Sequence, residues 1–229
     1  MKTIGLLGGM SWESSLEYYR IINEEVRKRL GKSHSAKCLL YSFDFFEIEK
    51  LQNENRWDEL EQILIKNALN LKNAGAEFLV ICANTTHLYA QVIEEKAGIK
   101  VVHIADAVGK EIKQKGLSKV ALLGTKYTME SEFYKNILKE KYNIDIIIPN
   151  IDKREIIHRI VYEELVKGIL SEESKEKYVD IINGIDAEGV ILGCTEIPLL
   201  IKQEDVSMPV FDTTAIHAIE AVDYALDDN

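Results

Sequence analysis

Two cysteines each stand at the end of a short apolar run and are followed at once by polar residues. Residues 79–87 read LVICANTTH, and residues 190–196 read VILGCTE. Cys82 and Cys194 therefore end two stretches that have the composition of buried strands. The polar residues that follow include threonines, which are common at the start of a helix. The repeated arrangement predicts that both thiols serve one reaction.

A thiol on each face of a carbon atom can invert a stereocentre. The unperturbed pKa of a thiol is about 8.5, and a helix N-terminus lowers it, so we expect a thiolate near neutral pH. One thiolate would remove the proton from the α-carbon, and the other thiol would return a proton to the opposite face. Backbone amides at the same turns would hold the carboxylate of a substrate.

Other interpretations of these residues are weaker. Two matching cysteines could be core residues inherited with a repeat, but polar residues follow both of them. A zinc site of Cys82, His87 and Cys194 lacks a CxxC or HxxxH pair and a fourth ligand. His87 is instead predicted to orient the turn or to tune Cys82. Cys38 lies within an apolar run and is predicted to be a core residue. The segment Gly5–Gly9 matches neither common phosphate-loop pattern, so a nucleotide site is not indicated.

Eight apolar runs alternate with helical patterns along the chain. Apolar residues recur at helical spacing in 56–73 and 154–168, and a last helix is predicted from about Thr213. Runs that are apolar at nearly every position and alternate with helices predict parallel strands covered on both faces, which is an α/β fold. The predicted strands are residues 3–8, 38–43, 77–82, 100–104, 119–124, 145–149, 189–194 and 209–212.

The eight runs form two sets of four, and the amino-acid sequence of the second set resembles that of the first. An internal duplication therefore predicts two pseudo-symmetric parallel-sheet α/β domains, residues 1–103 plus 213–229 and residues 104–212, with the active site in the cleft between them. Ligands of parallel sheets bind beyond the carboxyl ends of the strands. We expect the loops after the first and third strands of each set to line the site: Gly8–Ser11, Cys82–Thr85, Thr125–Thr128 and Cys194–Glu196.

The composition is that of an ordinary globular protein, with 46% hydrophobic and 29% charged residues. The net charge is −10 and no Lys/Arg cluster appears, so a nucleic-acid partner is not expected. No apolar run approaches the roughly 20 residues that span a membrane, and the N-terminus does not read as a signal peptide. Three cysteines are too few for a disulfide scaffold and favour the cytoplasm.

Five motifs extend from the first strand to the last helix: GLLGGMSWES at 5–14, CANTTH at 82–87, ALLGTKYTME at 121–130, GVILGCTEIPLL at 189–200 and PVFDTTAIHA at 209–218. Through these motifs the sequence closely resembles the aspartate/glutamate racemase superfamily, which works without pyridoxal phosphate. The resemblance implies a two-domain α/β fold, a homodimer, no metal and no cofactor. It makes Cys82 and Cys194 the acid/base pair, with Cys194 taking the proton from the L-amino acid and Cys82 taking it from the D form.

The resemblance also implies the residues that contact the substrate. Met10 and Ser11 match the first loop of the pocket. The residues that match positions holding the carboxylate and amino groups are Asn84, Thr85, Thr128 and Thr195.

Some aspartate racemases of the family carry a Pro-Asp-Arg-Thr-Ala stretch that grips the side-chain carboxylate, and this chain lacks it. Gln52, Arg56 and Lys167 are candidate substitutes. Their alternative interpretation is that of solvated helix residues.

The predicted function is therefore an amino-acid racemase acting on aspartate, with glutamate as a further candidate. The missing arginine motif leaves open a broad-specificity racemase of neutral or hydroxylated amino acids such as homoserine. A cis–trans isomerase of a dicarboxylic acid such as maleate would also use two cysteines. The alternative from another class is a small-molecule binding module without catalysis.

Overall fold

The structure, a computed structural model, describes residues 1–227 of the 229-residue chain. The chain divides into two compact units. Unit 1 comprises Met1–Ile104 and the segment from His217 onward, and unit 2 comprises Ala105–Ile216. Unit 1 is therefore assembled from two separate stretches of the sequence.

Unit 1 contains a four-stranded parallel sheet. Its strands are β1 (Ile4–Gly8), β2 (Cys38–Ser42), β3 (Phe78–Ile81) and β4 (Lys100–Val102), in the order β2-β1-β3-β4. The central strands β1 and β3 are buried at every residue, which explains why their sequences are apolar without alternation. Strand β2 is an edge strand and is partly exposed. Cys38 at its start is therefore half-buried against the core, rather than inside it as predicted.

The helices of unit 1 cover both faces of this sheet. They are α1 (Trp12–Leu30), α2 (Phe45–Asn53), α3 (Trp57–Asn73) and α4 (Ala90–Ala97), with a 3₁₀ segment at Thr85–Tyr89. Ser11 is the N-cap of helix α1, and its side chain accepts a hydrogen bond from the backbone N–H of Ser14. Its residues Tyr18, Ile22 and Val26 are spaced by four and form one buried stripe. The helix ends at Gly31, which has a φ of 71°.

Unit 2 contains a second four-stranded parallel sheet with the same connectivity. Its strands are β5 (Lys119–Gly124), β6 (Asp145–Ile147), β7 (Val190–Gly193) and β8 (Val210–Asp212), in the order β6-β5-β7-β8. The remaining helices are α5 (Ile104–Gln114), α6 (Lys126–Glu130), α7 (Glu132–Tyr142), α8 (Ile151–Glu163), α9 (Glu172–Asn183), α10 (Ile197–Leu200) and α11 (Thr213–Leu226). Two 3₁₀ segments lie at Leu165–Lys167 and Gln203–Asp205.

All eight predicted strands form, and the two sheets repeat one strand order. The predicted α/β fold of two duplicated parallel-sheet domains is confirmed. The predicted helix at 154–168 differs in its bounds: α8 ends at Glu163, and a separate 3₁₀ segment follows. The reason is local, because Glu164 leaves helical geometry with φ −121° and ψ −68°. Across residues 1–227, none of the helices combines the length and the apolar character needed to cross a membrane.

Candidate active site

Cys82 lies directly after β3 and is fixed by its backbone. Its N–H donates to the Leu7 carbonyl at 2.9 Å, and its own carbonyl accepts a 2.8 Å hydrogen bond from Ser14 Oγ. The side chain is fully buried, and Sγ lies 3.8 Å from the Val80 carbonyl oxygen. Burial raises the pKa of the Cys82 thiol, and the nearby Cys38 raises it further. Cys82 is therefore a thiol at neutral pH, and the prediction of a lowered pKa is wrong for it.

Hydrogen bonds of a serine hydroxyl hold the loop after β1 against the start of α1. Gly9 has a φ of 85°, and a Cβ added there would lie 2.3 Å from the Phe43 backbone nitrogen, so a glycine is required. The Gly9 N–H donates to Ser15 Oγ at 2.7 Å, and this hydroxyl donates to the Ser11 carbonyl at 3.1 Å. Met10 and Ser11 are both buried in this loop. Since Ser14 of the same helix turn bonds to residue 82, the structure brings the predicted first loop and the cysteine together.

The polar turn after Cys82 differs from its prediction. Asn84 is buried, Thr85 is half-buried, and a 3₁₀ segment starts at Thr85. The residue at the cap position is Asn84, and its side chain makes no cap hydrogen bond. The predicted threonine cap is therefore wrong, because the segment is a single tight 3₁₀ turn rather than an α-helix. His87 does hold this turn: its Nδ1 donates to the Ala83 carbonyl at 2.7 Å.

A cluster of three histidines lies behind this turn. The ring of His87 packs at centroid distances of 4.9 Å from His103 and 5.2 Å from His217. His217 Nε2 donates to the Val102 carbonyl at 2.8 Å, so its Nδ1 is the acceptor for the Tyr18 hydroxyl at 2.8 Å. Burial lowers the pKa of His217 to about 3. Burial and the two neighbouring histidines lower the pKa of His87 well below its ordinary value. Both rings are therefore neutral at pH 7.

Cys194 follows β7 and has a different environment. Its side chain is 8% exposed, and Sγ donates to Glu196 Oε2 at 2.9 Å. Thr195 Oγ1 donates to the same oxygen at 2.9 Å. Burial raises the pKa of the Cys194 thiol well above its ordinary value, and the charge and hydrogen bond of Glu196 add to this. The backbone N–H groups of Glu196 and Ile197 act in the opposite direction without reversing the shift.

The helix after Cys194 also fails to match its predicted cap. Helix α10 is four residues long, its N-cap is Glu196, and no side-chain cap hydrogen bond forms. Thr195 instead donates to Glu196. A lowered thiol pKa is therefore wrong for Cys194 as well, because burial outweighs the few amides that such a short helix presents.

The first loop of unit 2 lies beside Cys194. Thr125 caps α6 by accepting a 3.2 Å hydrogen bond from Thr128 N, and the two hydroxyl oxygens are 3.2 Å apart. Both residues are buried. Gly193 precedes the cysteine, and a Cβ added there would lie 3.4 Å from Thr128 Cγ2. Thr128 therefore lies against the residue that precedes Cys194 within unit 2.

The three candidate substitutes for the missing arginine motif lie in different environments. Gln52 is 5% exposed in the last turn of α2, so its interpretation as a solvated residue is wrong. Arg56 is paired at the surface with Glu54 and Glu59, at 2.6 Å each. Lys167 is exposed at the end of a 3₁₀ segment. Arg56 is thus already neutralised by two carboxylates.

Sequence reasoning missed the residues that support the two cysteines. The GCTE motif gives Glu196 no role of its own, although a carboxylate two residues after a thiol can reach it. Ser14, which holds the Cys82 carbonyl, gave no separate signal. The Tyr18–His217 hydrogen bond joins residues 199 positions apart, so no local pattern could indicate it. Within residues 1–227, no group of three or more His, Cys, Asp or Glu side chains is arranged to hold a metal ion.

These features define a two-unit parallel α/β protein in which a buried thiol follows the third strand of each sheet. The chain matches the Asp/Glu/Hydantoin racemase family over residues 7–221. It therefore belongs to that racemase family.

Individual relatives agree with this assignment. The chain is 22% identical over 234 residues to the broad specificity amino-acid racemase RacX of Bacillus subtilis (strain 168), with 96% of each protein covered. The crystal structure of a putative Asp/Glu racemase from Yersinia pestis is 51% identical with a TM-score of 0.91, covering 99% of this chain and 100% of that one. An aspartate racemase homologue from Pyrococcus horikoshii OT3 is 41% identical with a TM-score of 0.85, with the same coverage.

Proposed function

We propose that the protein is an amino-acid racemase that exchanges the proton on the α-carbon through Cys82 and Cys194, without a cofactor. The observation that carries the proposal is the repeated position of the two thiols. Each follows the third strand of a sheet, and the two sheets share one strand order. Ser14, in the first turn of the helix after β1, bonds to the Cys82 carbonyl, and Thr128, after β5, lies against Gly193, which precedes Cys194. The mechanism requires the two sulfur atoms to reach opposite faces of one carbon.

The main candidate substrate is aspartate, with glutamate next. Family membership and the likeness to an aspartate racemase homologue support an acidic amino acid. The buried polar groups of Asn84, Thr128 and Thr195 would bind the amino and carboxylate groups common to all amino acids. Buried hydroxyl and amide groups suit this task because they lose little on exchanging one hydrogen-bond partner for another.

A broad-specificity racemase of neutral or hydroxylated amino acids is the second candidate. It is favoured by one observation: Arg56, the arginine nearest in sequence to the missing motif, is held by two glutamates at the surface. A racemase that does not use Arg56 to bind a side-chain carboxylate has less reason to prefer aspartate over homoserine. The relation to RacX supports the same alternative.

The first experiment measures proton exchange at the α-carbon. Purified protein is incubated with L- or D-aspartate in D2O, without added pyridoxal phosphate or metal, and followed by proton NMR and chiral chromatography. We expect deuterium incorporation together with inversion. Cys82→Ser and Cys194→Ser should each lower inversion at least about 100-fold, since a general acid or base contributes roughly that much. Cys38→Ser is the matched control and should keep the activity.

Full inversion by both single variants would refute the two-thiol mechanism. The substrate is settled by the same assay on a panel of L-amino acids. Fast homoserine and inert aspartate would replace the main candidate with the second one. A protein that is stabilised by aspartate against heat but exchanges no proton with any member of the panel would be a binding module instead.

A further inference from the structure

The two thiols differ in what surrounds their sulfur atoms. Cys194 Sγ donates to a carboxylate oxygen, Glu196 Oε2, at 2.9 Å. Cys82 Sγ faces the Val80 carbonyl at 3.8 Å, and a peptide carbonyl does not take up a proton at neutral pH. The duplicated fold is therefore symmetric in its strands but not in the proton chemistry of its two cysteines.

This difference bears on how a reaction at the α-carbon could begin. Removing a proton needs a base, whereas returning one needs an acid. Burial raises the pKa of both thiols, so both are protonated at neutral pH. Two protonated thiols can only give protons. One of them must first lose its proton, either to hydroxide or to a neighbouring group, and Glu196 lies in contact with Cys194.

We propose that Cys194 and Glu196 act together as a thiol–carboxylate pair, in which Glu196 Oε2 takes the proton of Cys194 Sγ when Cys194 acts as the base. The proposal rests on the proposed function, because it assigns the base within that reaction. Glu196 is a positioning residue that acts through Cys194. Cys82, whose sulfur faces the Val80 carbonyl at 3.8 Å, serves as the acid when the pair serves as the base.

The proton balance of this cycle closes without a co-reactant. The S–H bond of Cys194 breaks and an O–H bond forms on Glu196, so the net charge of the pair stays at −1. Cys194 then takes the proton from the α-carbon, whose electron pair stays on carbon, and the S–H bond of Cys82 delivers its proton to the opposite face. Glu196 afterwards releases its proton to water, and Cys82 recovers one from water.

The surroundings of the pair support a shared proton. Thr195 Oγ1 donates to the same Oε2 at 2.9 Å and keeps the carboxylate turned toward the sulfur. Tyr178 of α9 also faces the pair: Cys194, Glu164 and Glu196 each raise the pKa of its hydroxyl, after burial. The Tyr178 hydroxyl donates to the Ile157 carbonyl, and Glu164 accepts a hydrogen bond from Ser174 Oγ at 2.7 Å. Both are thus engaged elsewhere, and the carboxylate in contact with the thiol is that of Glu196.

A simpler role for Glu196 predicts the opposite result. A fixed negative charge beside a thiol holds the thiol protonated. If that were its whole effect, Glu196→Gln would make Cys194 more nucleophilic at every pH. In the thiol–carboxylate pair, the same substitution removes the proton acceptor, so Cys194 becomes less nucleophilic at pH 6 and depends on hydroxide instead.

The first test does not depend on enzyme activity. Alkylation of Cys194 by iodoacetamide is followed by peptide mass spectrometry between pH 6 and pH 8. In the native protein the rate should change little over this range, because Glu196 rather than hydroxide takes the proton of Cys194. In Glu196→Gln the rate should rise about tenfold per pH unit, as for an unassisted thiol. Glu196→Asp, which keeps a carboxylate, should restore the flat profile, and Glu164→Gln is the matched carboxylate control.

The proposal is overturned if the native protein shows the same tenfold rise as Glu196→Gln, or if Glu196→Gln is alkylated faster at pH 6. It is also overturned if native Cys194 is unreactive at pH 6 while Glu196→Gln reacts at pH 8.

The second test is the pH profile of kcat/KM for racemisation. A purely structural role of Glu196 lowers this constant equally at all pH values, whereas loss of the proton acceptor gives it a slope of about tenfold per pH unit. If the native protein fails to exchange the α-proton at all, the proposed function fails, and the alkylation profiles still decide the role of Glu196.

Discussion

The buried histidine His217 makes the stability of unit 1 depend on pH in a predictable way. Its pKa is lowered from 6.5 to about 3, chiefly by burial. A histidine of this kind binds a proton more readily in the unfolded chain than in the folded one. Its contribution to stability is therefore complete above pH 6.5 and is lost progressively as the pH falls from 6.5 toward 3.

The size of this effect follows from the shift. Each pH unit between the two pKa values costs about 1.4 kcal/mol, so lowering the pH from 7.5 to 5 removes about 2 kcal/mol through His217 alone. His87, whose pKa is also lowered, adds to the acid sensitivity of the native protein. His217→Gln removes the titrating ring but can still donate to Val102 and accept from Tyr18.

The measurement is urea unfolding, followed by circular dichroism, at pH 7.5 and pH 5. The native protein should lose about 2 kcal/mol more unfolding free energy between the two pH values than His217→Gln does. His34→Gln, at an exposed histidine outside the cluster, is the control and should behave as the native protein. Equal losses in the native protein and in His217→Gln would refute the reasoning, since His217 would then not be held neutral by burial.

Three further predictions concern the supports of the site. Ser14→Ala leaves the buried carbonyl of Cys82 without its 2.8 Å donor and should cost about 1–3 kcal/mol in urea unfolding; a loss below about 0.5 kcal/mol would contradict this. Gly9→Ala forces a side chain onto a φ of 85° and against backbone atoms and should cost about 2–5 kcal/mol, whereas Gly116→Ala, with a φ of 74° in open space, should cost about 1 kcal/mol. Arg56→Gln should leave Tm and the KM for aspartate unchanged, because surface ion pairs contribute little, and a raised KM would assign this residue to the substrate.

The fold could be predicted well because its central strands leave little ambiguity. Strands β1, β3 and β7 are buried at every residue, so their sequences are apolar throughout and end abruptly at polar loops. The duplication reinforced this, since each strand of one sheet supports the assignment of its counterpart. In the edge strand β2 the run of apolar residues is a poorer guide to burial, and Cys38 is accordingly more exposed than expected.

The ionisation of the site could not be predicted in the same way. The sequence indicates that Cys82 and Cys194 precede turns, but the pKa of a thiol depends on how deeply it is buried, and that depends on the packing of distant elements. The expected caps at Thr85 and Thr195 failed for a related reason. Both turns are too short for α-helical capping, and the hydroxyl of Thr195 found a carboxylate instead of a backbone amide.

The split of unit 1 into two stretches of sequence has a consequence for its biosynthesis. The core beneath α1 includes Ala218, Ala221, Val222 and Ala225, which pack with Ile4 and Leu6, and the Lys2 N–H bonds to the Ala225 carbonyl at 2.8 Å. These residues emerge from the ribosome only after all of unit 2. Unit 2 can therefore fold during translation, while the first hundred residues wait with an open apolar face. We expect chaperone binding to nascent chains to persist until α11 has left the exit tunnel.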